Sequence, residues 1–448
     1  MVKFTRLLLL KNNFHIKTEA MKSKLTYFNR FFSIEFLLVI LIVSPISLLA
    51  KTVTAKTTGN WSTPSTWKGG SSPSVSDDVV IQSGVTITVD IAAVTCNSLT
   101  LTDAAGSSSI IFNSGQTIVV NGIVTLSTIV GSNGNLYMTN GGILECKSIS
   151  LGSGTVNFTP GTGTIQLDAT NTLPLSNLNN LIIYGGTTTL NSNSAFTGNI
   201  INNSIFNCNS KTITLNGTAN QTISGINFYD VIINNTSLGN AVTLGSATTV
   251  NHSLLLTKGI IDATLYPISF TESASISGAS NQSHIKGTIK KIVTNNSSFV
   301  FPCGNGTYYR PIGIISPSND TWMSSYSKTP YNSNNKNVNT TDSVNLDHVS
   351  LVEFWNLSPI TVGSSTKIQL SWDEKSSVTN TSSVTVAHWN SYTNQWENVG
   401  SKIIDLVNKT VTSNVSWSSF SPFTLGSTTS ETSLPIDIEE FKAKVRRN

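Results

Sequence analysis

Hydrolysis of a glycosidic bond needs two carboxylates on one face, about 5–10 Å apart. The chain offers few candidates. Between residues 79 and 285 the acids are Asp90, Asp103, Glu145, Asp168, Asp230, Asp262 and Glu272, and no two are adjacent. Asp77 and Asp78 are neighbours, but one short pair carries too few oxygens to hold calcium. Backbone amides are their expected partners. His252, His284, His348 and His388 stand alone, without H-E-x-x-H or any other paired metal spacing. No G-x-S-x-G elbow occurs. "GNGTYYRPIG" (304–313) lacks the Lys-Ser/Thr pair of a phosphate loop and reads as a turn. The residues therefore specify no catalytic centre, no metal site and no cofactor. A polysaccharide-degrading hydrolase or lyase would require distant acids to meet in three dimensions.

Aromatic rings are the second chemistry on offer. Trp61 and Trp67 lie in "GNWSTPSTWKGG" (59–70), and Trp389 and Trp396 lie in the hairpin-like "HWNSYTNQWENVG" (388–400). A Trp face suits the face of a pyranose ring, so all four are candidate glycan-binding residues in a carbohydrate-binding module. The competing role is architectural. Trp61 and Trp67 would cover the open end of a repeat array, while Trp389 and Trp396 would join Trp355, Trp372 and Trp417 in a core and its rim.

The elements that must position these residues follow from composition and pattern. Charged residues make up 11% of the 448-residue chain, against roughly 25% in an average soluble protein. Asn, Ser and Thr fill the gap at more than a third of the chain. The 38% hydrophobic content recurs in short β-rich runs, which argues for a folded chain. The net charge of +4 is small and partly terminal, with no basic patch interleaved with aromatics. Nucleic acid is not an expected partner. Cys96, Cys146, Cys208 and Cys303 form no C-x-x-C pair. They read as small buried apolar residues, with a disulfide left open as the alternative in an exported chain.

"FLLVILIVSPISLLA" (36–50) has signal-peptide length, basic residues upstream and small residues downstream. It predicts a Sec leader cleaved after Ala50 or Ala55, which places the remainder outside the cytoplasm with no membrane span. Pro45, Ser44 and Ser47 make a spanning helix a poor alternative. "MKSKLTYFNR" is a normal leader start, so Met21 competes with Met1 as the true first residue.

From about residue 79, runs such as "VTITVD", "SIIFNSG", "TIVVNGIVTLST", "NNLIIYGG" and "YDVIINN" alternate with Gly/Asn/Ser turns every 8–12 residues or so. Each run carries two or three alternating apolar residues, the signature of one strand face in a core. Short, evenly spaced strands without long crossovers predict a right-handed parallel β-helix over 56–285 rather than a sandwich or barrel. Asn121, Asn216, Asn234 and Asn235 are expected at left-handed turns and in hydrogen-bonded ladders between coils. Longer strands and more aromatics mark a β-sandwich module over 286–428. Residues 1–55 form the N-terminal extension and leader, and 429–448 read as a linker and the start of a further domain.

"GNWSTPSTWKGGSSPSVSDDVVIQSGVTITVD", "FYDVIINN", "SLLLTKGIIDA", "FVFPCGNGTYYRPIGI" and "FSPFTLGS" together resemble secreted β-helix surface proteins of Gram-negative, Bacteroidetes-like bacteria with the type IX secretion system. The resemblance implies a solenoid, a following β-module and no established catalytic role. "DSV" (342–344) resembles the O-glycosylation acceptor of these bacteria, with Ser343 as the modified residue. "SLPIDIEEFKAKVRRN" resembles the opening of a further Ig-like domain, so the expectation is a chain truncated before a C-terminal sorting domain. The sequence thus predicts a secreted, adhesin-like, non-catalytic protein of the cell surface or extracellular matrix. Its expected partners are glycans or cell-surface components, together with the export machinery.

Overall fold

The computed structural model describes residues 50–331, 338–340, 345–399, 402–420, 422–430 and 434. The leader upstream of Ala50, Ser343 and nearly all of the 429–448 tail lie outside them. The chain is all-β, with a β-solenoid of about 12 turns. Its helical content among the described residues is two 3₁₀ turns, Pro64–Thr66 and Glu374–Ser376. No helix of the described residues is long and apolar enough to cross a membrane.

Alternation along each short strand builds the solenoid. In Thr86–Val89 the side chains of Ile87 and Val89 are buried while Thr86 and Thr88 are only half-buried. The same pattern holds in Asp78–Ile81 and Thr212–Leu215. Successive coils then pair parallel and in register. Val94, Ile118, Leu144, Ile165, Leu181, Ile200 and Ile223 form one continuous inward column across seven coils. Each such side chain contributes about 1.5–3 kcal/mol by leaving water, and none could do so within a single coil. Coil length varies. Side chains bonded from one coil to the next lie from 16 residues apart, Asn180 to Thr164, to 28 apart, Thr86 to Thr58.

Outward positions form polar columns. Asn157 Nδ2 donates to Asn135 Oδ1 at 2.7 Å, and Asn135 Nδ2 donates to Ser109 Oγ at 3.1 Å. Asn235 also ties coils together, donating to Gln221 Oε1 at 2.8 Å and to the carbonyl of Ala219. The expected left-handed turns do not fall at Asn121, Asn216, Asn234 or Asn235. Positive φ occurs at Asn209, Asn295, Asn296 and Asn394 and at many glycines instead. Asn235 takes the other Asx role, its Oδ1 accepting from the Ser237 amide two residues on.

Both ends of the stack are covered. At the first coil, the 66–68 segment folds back along the outer edge of Thr52–Ala55. Lys56 N donates to Thr66 O at 2.9 Å and Lys68 N to Thr54 O at 2.8 Å. This occupies backbone groups that an edge strand would otherwise present. At the last coil, Ile285–Val293 pairs parallel with Ile260–Phe270 on one side. On its other side, residues 289–293 pair antiparallel with Asp320–Ser327. The buried ammonium of Lys291 donates to the carbonyls of Thr271, Glu272 and Ala274 at 2.7, 2.7 and 2.8 Å.

The other end of Ile285–Val293 still has a short parallel neighbour, Cys303 and Gly304 beside Ile285 and Lys286, and the strands that follow pair antiparallel. Asp320–Ser327, Phe354–Pro359, Phe423–Ser427, Val384–Asn390 and Gln395–Asn398 extend the solenoid's sheet. A separate five-stranded sheet runs in the order Phe299–Phe301, Ile312–Ile315, Lys367–Ser371, Thr410–Ser413, Lys402–Asp405. Ile312, Ile314, Ile368 and Leu370 of this sheet and Trp322, Trp355 and Val386 of the other belong to one buried cluster, which continues into the solenoid core.

Candidate functional site

The four candidate tryptophans are enclosed. Trp61 and Trp67 are 1% and 0% exposed, with ring centroids 5.2 Å apart at 68°. The Trp67 indole N–H donates to Trp61 O at 2.8 Å, and Trp61 N donates to Thr88 O at 2.9 Å. The pair fills the interior of the first coil beneath the folded-back segment. Ser62 holds this loop to the next coil, its amide donating to Asp90 Oδ1 at 3.0 Å and its hydroxyl to Asp90 Oδ2. Burial raises the Asp90 carboxyl, but these Ser62 bonds outweigh it and hold the group below the usual carboxylate range. Trp389 and Trp396 are 6% and 0% exposed and pack edge to face at 5.5 Å. Neither pair offers an open face for a sugar to stack on.

The acids of the solenoid are engaged locally. Asp230 Oδ1 meets His252 Nδ1 at 2.6 Å and accepts from the Ser253 hydroxyl, while the His252 ring stacks on Tyr229 at 4.8 Å. Serine and histidine both converge on the carboxylate, so the serine–histidine–acid order of a nucleophilic triad is not formed. Asp262 accepts from Asn240, from the Thr264 amide and from Lys286. Asp77 Oδ2 accepts from the amide and hydroxyl of Ser74, each at 2.7 Å, as the sequence suggested. Asp78 instead accepts from the side chains of Asn97 and Ser98. All four cysteines are free and buried. Burial pushes Cys96, Cys146 and Cys303 up to about 12 and Cys208 up to about 11. Cys96 and Cys146 face inward in one column, but Val120 lies between them.

The "CGNGTYYRPIG" segment is a turn, and it joins the last coil to the antiparallel strands. His284 is fully buried, with Nδ1 against Ser280 O and Nε2 accepting from the Gly306 amide, each at 3.0 Å. Burial lowers its pKa below the usual histidine value. Gly304 lies flush on this ring, since a Cβ there would come within 2.3 Å of His284 Cδ2. Arg310, 3% exposed, donates through Nε to Glu353 Oε2 at 3.1 Å and grips Asp373 with both terminal nitrogens. Burial works against its charge, but the two carboxylates more than restore it and raise its pKa. Tyr326 donates to Glu353 Oε2 at 2.9 Å, and the Trp355 indole N–H donates to Arg310 O at 2.9 Å. Glu353 and Asp373 are thus brought together on a buried guanidinium. The guanidinium is bonded to both carboxylates.

A groove of about 340 Å³ lies on the separate five-stranded sheet. Pro311 and, in the second strand, Gly313 line it. A Cβ at Gly313 would meet Gln369 Oε1 at 2.9 Å, so glycine lets the Gln369 side chain lie across the floor. Val300 forms one wall. The opposite wall is the 405–409 turn, where Asp405 Oδ1 accepts from the amides of Val407 and Asn408, each at 2.9 Å. Asn408 Nδ2 donates to Asp405 Oδ2 at 2.7 Å. These Asn408 bonds, the backbone one foremost, hold the Asp405 carboxyl below its usual range. Ser371 is turned inward onto Pro311 O at 2.8 Å. Thr410 lines the groove, but its Oγ1 is shut off from it and has no hydrogen-bond partner. Leu406 and Val407 stand exposed beside it at the hairpin tip, at 63% and 90%.

Sequence reasoning missed this groove entirely. Its residues come from five strands and a turn spread over more than a hundred positions, and the only local signal was the Asp-x-x-Asn turn at 405–408. Comparison with protein-family profiles, with curated proteins and with solved structures found no match to the chain. The resemblance to secreted solenoid proteins is one of sequence motifs alone.

Proposed function

We propose that the chain is an exported, non-catalytic protein of the cell surface or extracellular matrix that adheres through glycans or neighbouring surface components. The carrying observation is the groove on the separate five-stranded sheet, where Asp405, Asn408 and Gln369 lie beside Val300, Pro311 and Gly313. The uncharged Thr, Ser and Asn columns along the coils support the same reading, because they present a hydrated, weakly charged flank. We take the coils as right-handed on the near-universal hand of parallel crossovers, and the two antiparallel sheets as a β-sandwich module. Membership of the type IX secreted group is part of the proposal. So is leader removal after Ala50, which is exposed, whereas Ala55 is buried in the first strand. Cleavage after Ala55 would discard that strand and its pairing with Asp78–Ile81.

A clean deletion tests the reading. Cells lacking the protein should lose attachment to glycan-coated or cellular surfaces while still growing normally. Attachment equal to the parent strain would refute it. Release of reducing sugar from algal or plant polysaccharides by the purified protein would favour the degrading enzyme instead.

A further inference from the structure

We infer that the solenoid carries a strand-docking ledge at Thr155–Thr159, which accepts an extended, uncharged segment of another polypeptide as an added β-strand. The site is separate from the groove and does not depend on the adhesive reading. It arises where the stack changes size. Asn157 lies 22 residues after Asn135, whereas Asn180 lies only 16 after Thr164, so the coil that follows is too short to reach as far out. Backbone pairing continues there on one face, from Ile143–Leu151 through Thr164–Leu167 to Asn180–Ile183. On the face of Thr155–Thr159 it stops. That strand is terminal in its sheet and pairs only with Ser132–Tyr137. The next coil's Asn177–Leu178 pairs only with Ser194–Phe196.

The step leaves particular groups over. Met138 N donates to Thr159 O at 2.8 Å, and in a parallel ladder successive residues turn their backbone groups to opposite sides. Thr155, Asn157 and Thr159 therefore bond Ser132–Tyr137, and the N–H and C=O of Val156 and Phe158 face the free side. Burial agrees. The inward Leu136 and Met138 of the preceding coil are 1% and 0% exposed. Val156 and Phe158 are only half-buried against the core, while Thr155, Asn157 and Thr159 are exposed. Two donors and two acceptors in line, beside two half-covered apolar side chains, match an extended chain with apolar residues at alternate positions. The charges and prolines that blunt an edge strand are missing, since Thr155–Thr159 holds no Lys, Asp, Glu or Pro. Pro160, next in line on the free side, has no N–H to offer and ends the docked strand there. A second copy does not fit, because pairing edge to edge would carry its coils into the volume of the coils after residue 164.

The test is fluorescence polarisation of the full chain with a labelled KTITLN peptide, the sequence of one of its own solenoid strands (211–216), beside KTTILN, in which the alternation is lost. The first should bind, and the second about tenfold more weakly or worse. Of two versions of the first peptide N-methylated at alternate residues, one should bind and the other fail, because a docked strand bonds the ledge along one edge only. Val156→Pro removes an N–H that the fold does not use, a change tolerated on an edge strand, and should abolish binding. Phe158→Lys, at a half-buried position, should weaken it at least tenfold. Hydrogen exchange reads the site without a variant. The amides of Val156 and Phe158 should exchange fast in the free chain and slowly with peptide bound, while Asn157 stays slow throughout. No peptide binding, equal binding of the two sequences, equal behaviour of the two N-methylated forms, slow exchange at Val156 and Phe158 in the free chain, or dimerisation through this edge would overturn the inference.

Discussion

Arg310→Met is the sharpest probe of how the antiparallel strands are held together. The substitution keeps most of the aliphatic stem and deletes the guanidinium, so Glu353 and Asp373 lose their shared counter-charge. Glu353 is 3% exposed, and its Oε1 is already buried without a partner, so water cannot readily take over. Removing one member of a buried ion pair costs about 3–5 kcal/mol. With a urea slope of about 2 kcal/mol per M for a module of this size, the unfolding midpoint should fall by roughly 1.5–2.5 M. Tryptophan fluorescence is a suitable readout, because Trp322, Trp355, Trp372, Trp389, Trp396 and Trp417 all lie after residue 286. Trp355 reports directly, since its indole bonds to the Arg310 carbonyl. Adding Glu353→Gln to Arg310→Met should recover part of the loss by removing the stranded charge. A single-variant midpoint within the equivalent of about 0.5 kcal/mol of the parent would refute the reasoning.

Three further outcomes are expected. Stability should decline as pH drops below about 6.5, the ordinary histidine value, because burial first of all lowers the pKa of His284 and His388 in the fold. The unfolded chain then binds protons that the native state refuses, so the contribution is intact above that pH and fades beneath it; a midpoint flat from pH 7.5 to 5 would contradict this. Gly304→Ala should cost about 1–3 kcal/mol by overpacking against His284 and the Tyr308 carbonyl, seen as a lowered thermal midpoint; an unchanged midpoint would contradict it. Thiol titration should give no rapid reaction in the native protein and full reaction of all four cysteines in denaturant, since each is buried and free; a fast native thiol would show that one coil opens readily.

The solenoid was legible because its cause is local. Alternation in runs such as "TITV" and "TITL" fixes which side chains turn inward, and stacking follows from many such runs in series. The clustering of Trp61 and Trp67 was legible too, through two large rings where later coils use aliphatics. The groove and the Arg310 triad were not, because their partners are assembled by antiparallel pairing. Glu353 and Asp373 lie 43 and 63 residues from Arg310, and nothing in the spacing marks them. The asparagine expectation failed for a different reason. Asn135, Asn157 and Asn235 each have a side-chain role that fixes them in place, and the left-handed corners are taken mostly by glycine.

A parallel β-stack has no natural stopping point, since any bare terminal strand is a template for another molecule. Here the first rung is sealed by the Trp67 segment, and the last is occupied by the short Cys303–Gly304 strand and by an antiparallel neighbour. Neither terminus can seed head-to-tail polymerisation, so the rod's length is written in the gene rather than set by concentration.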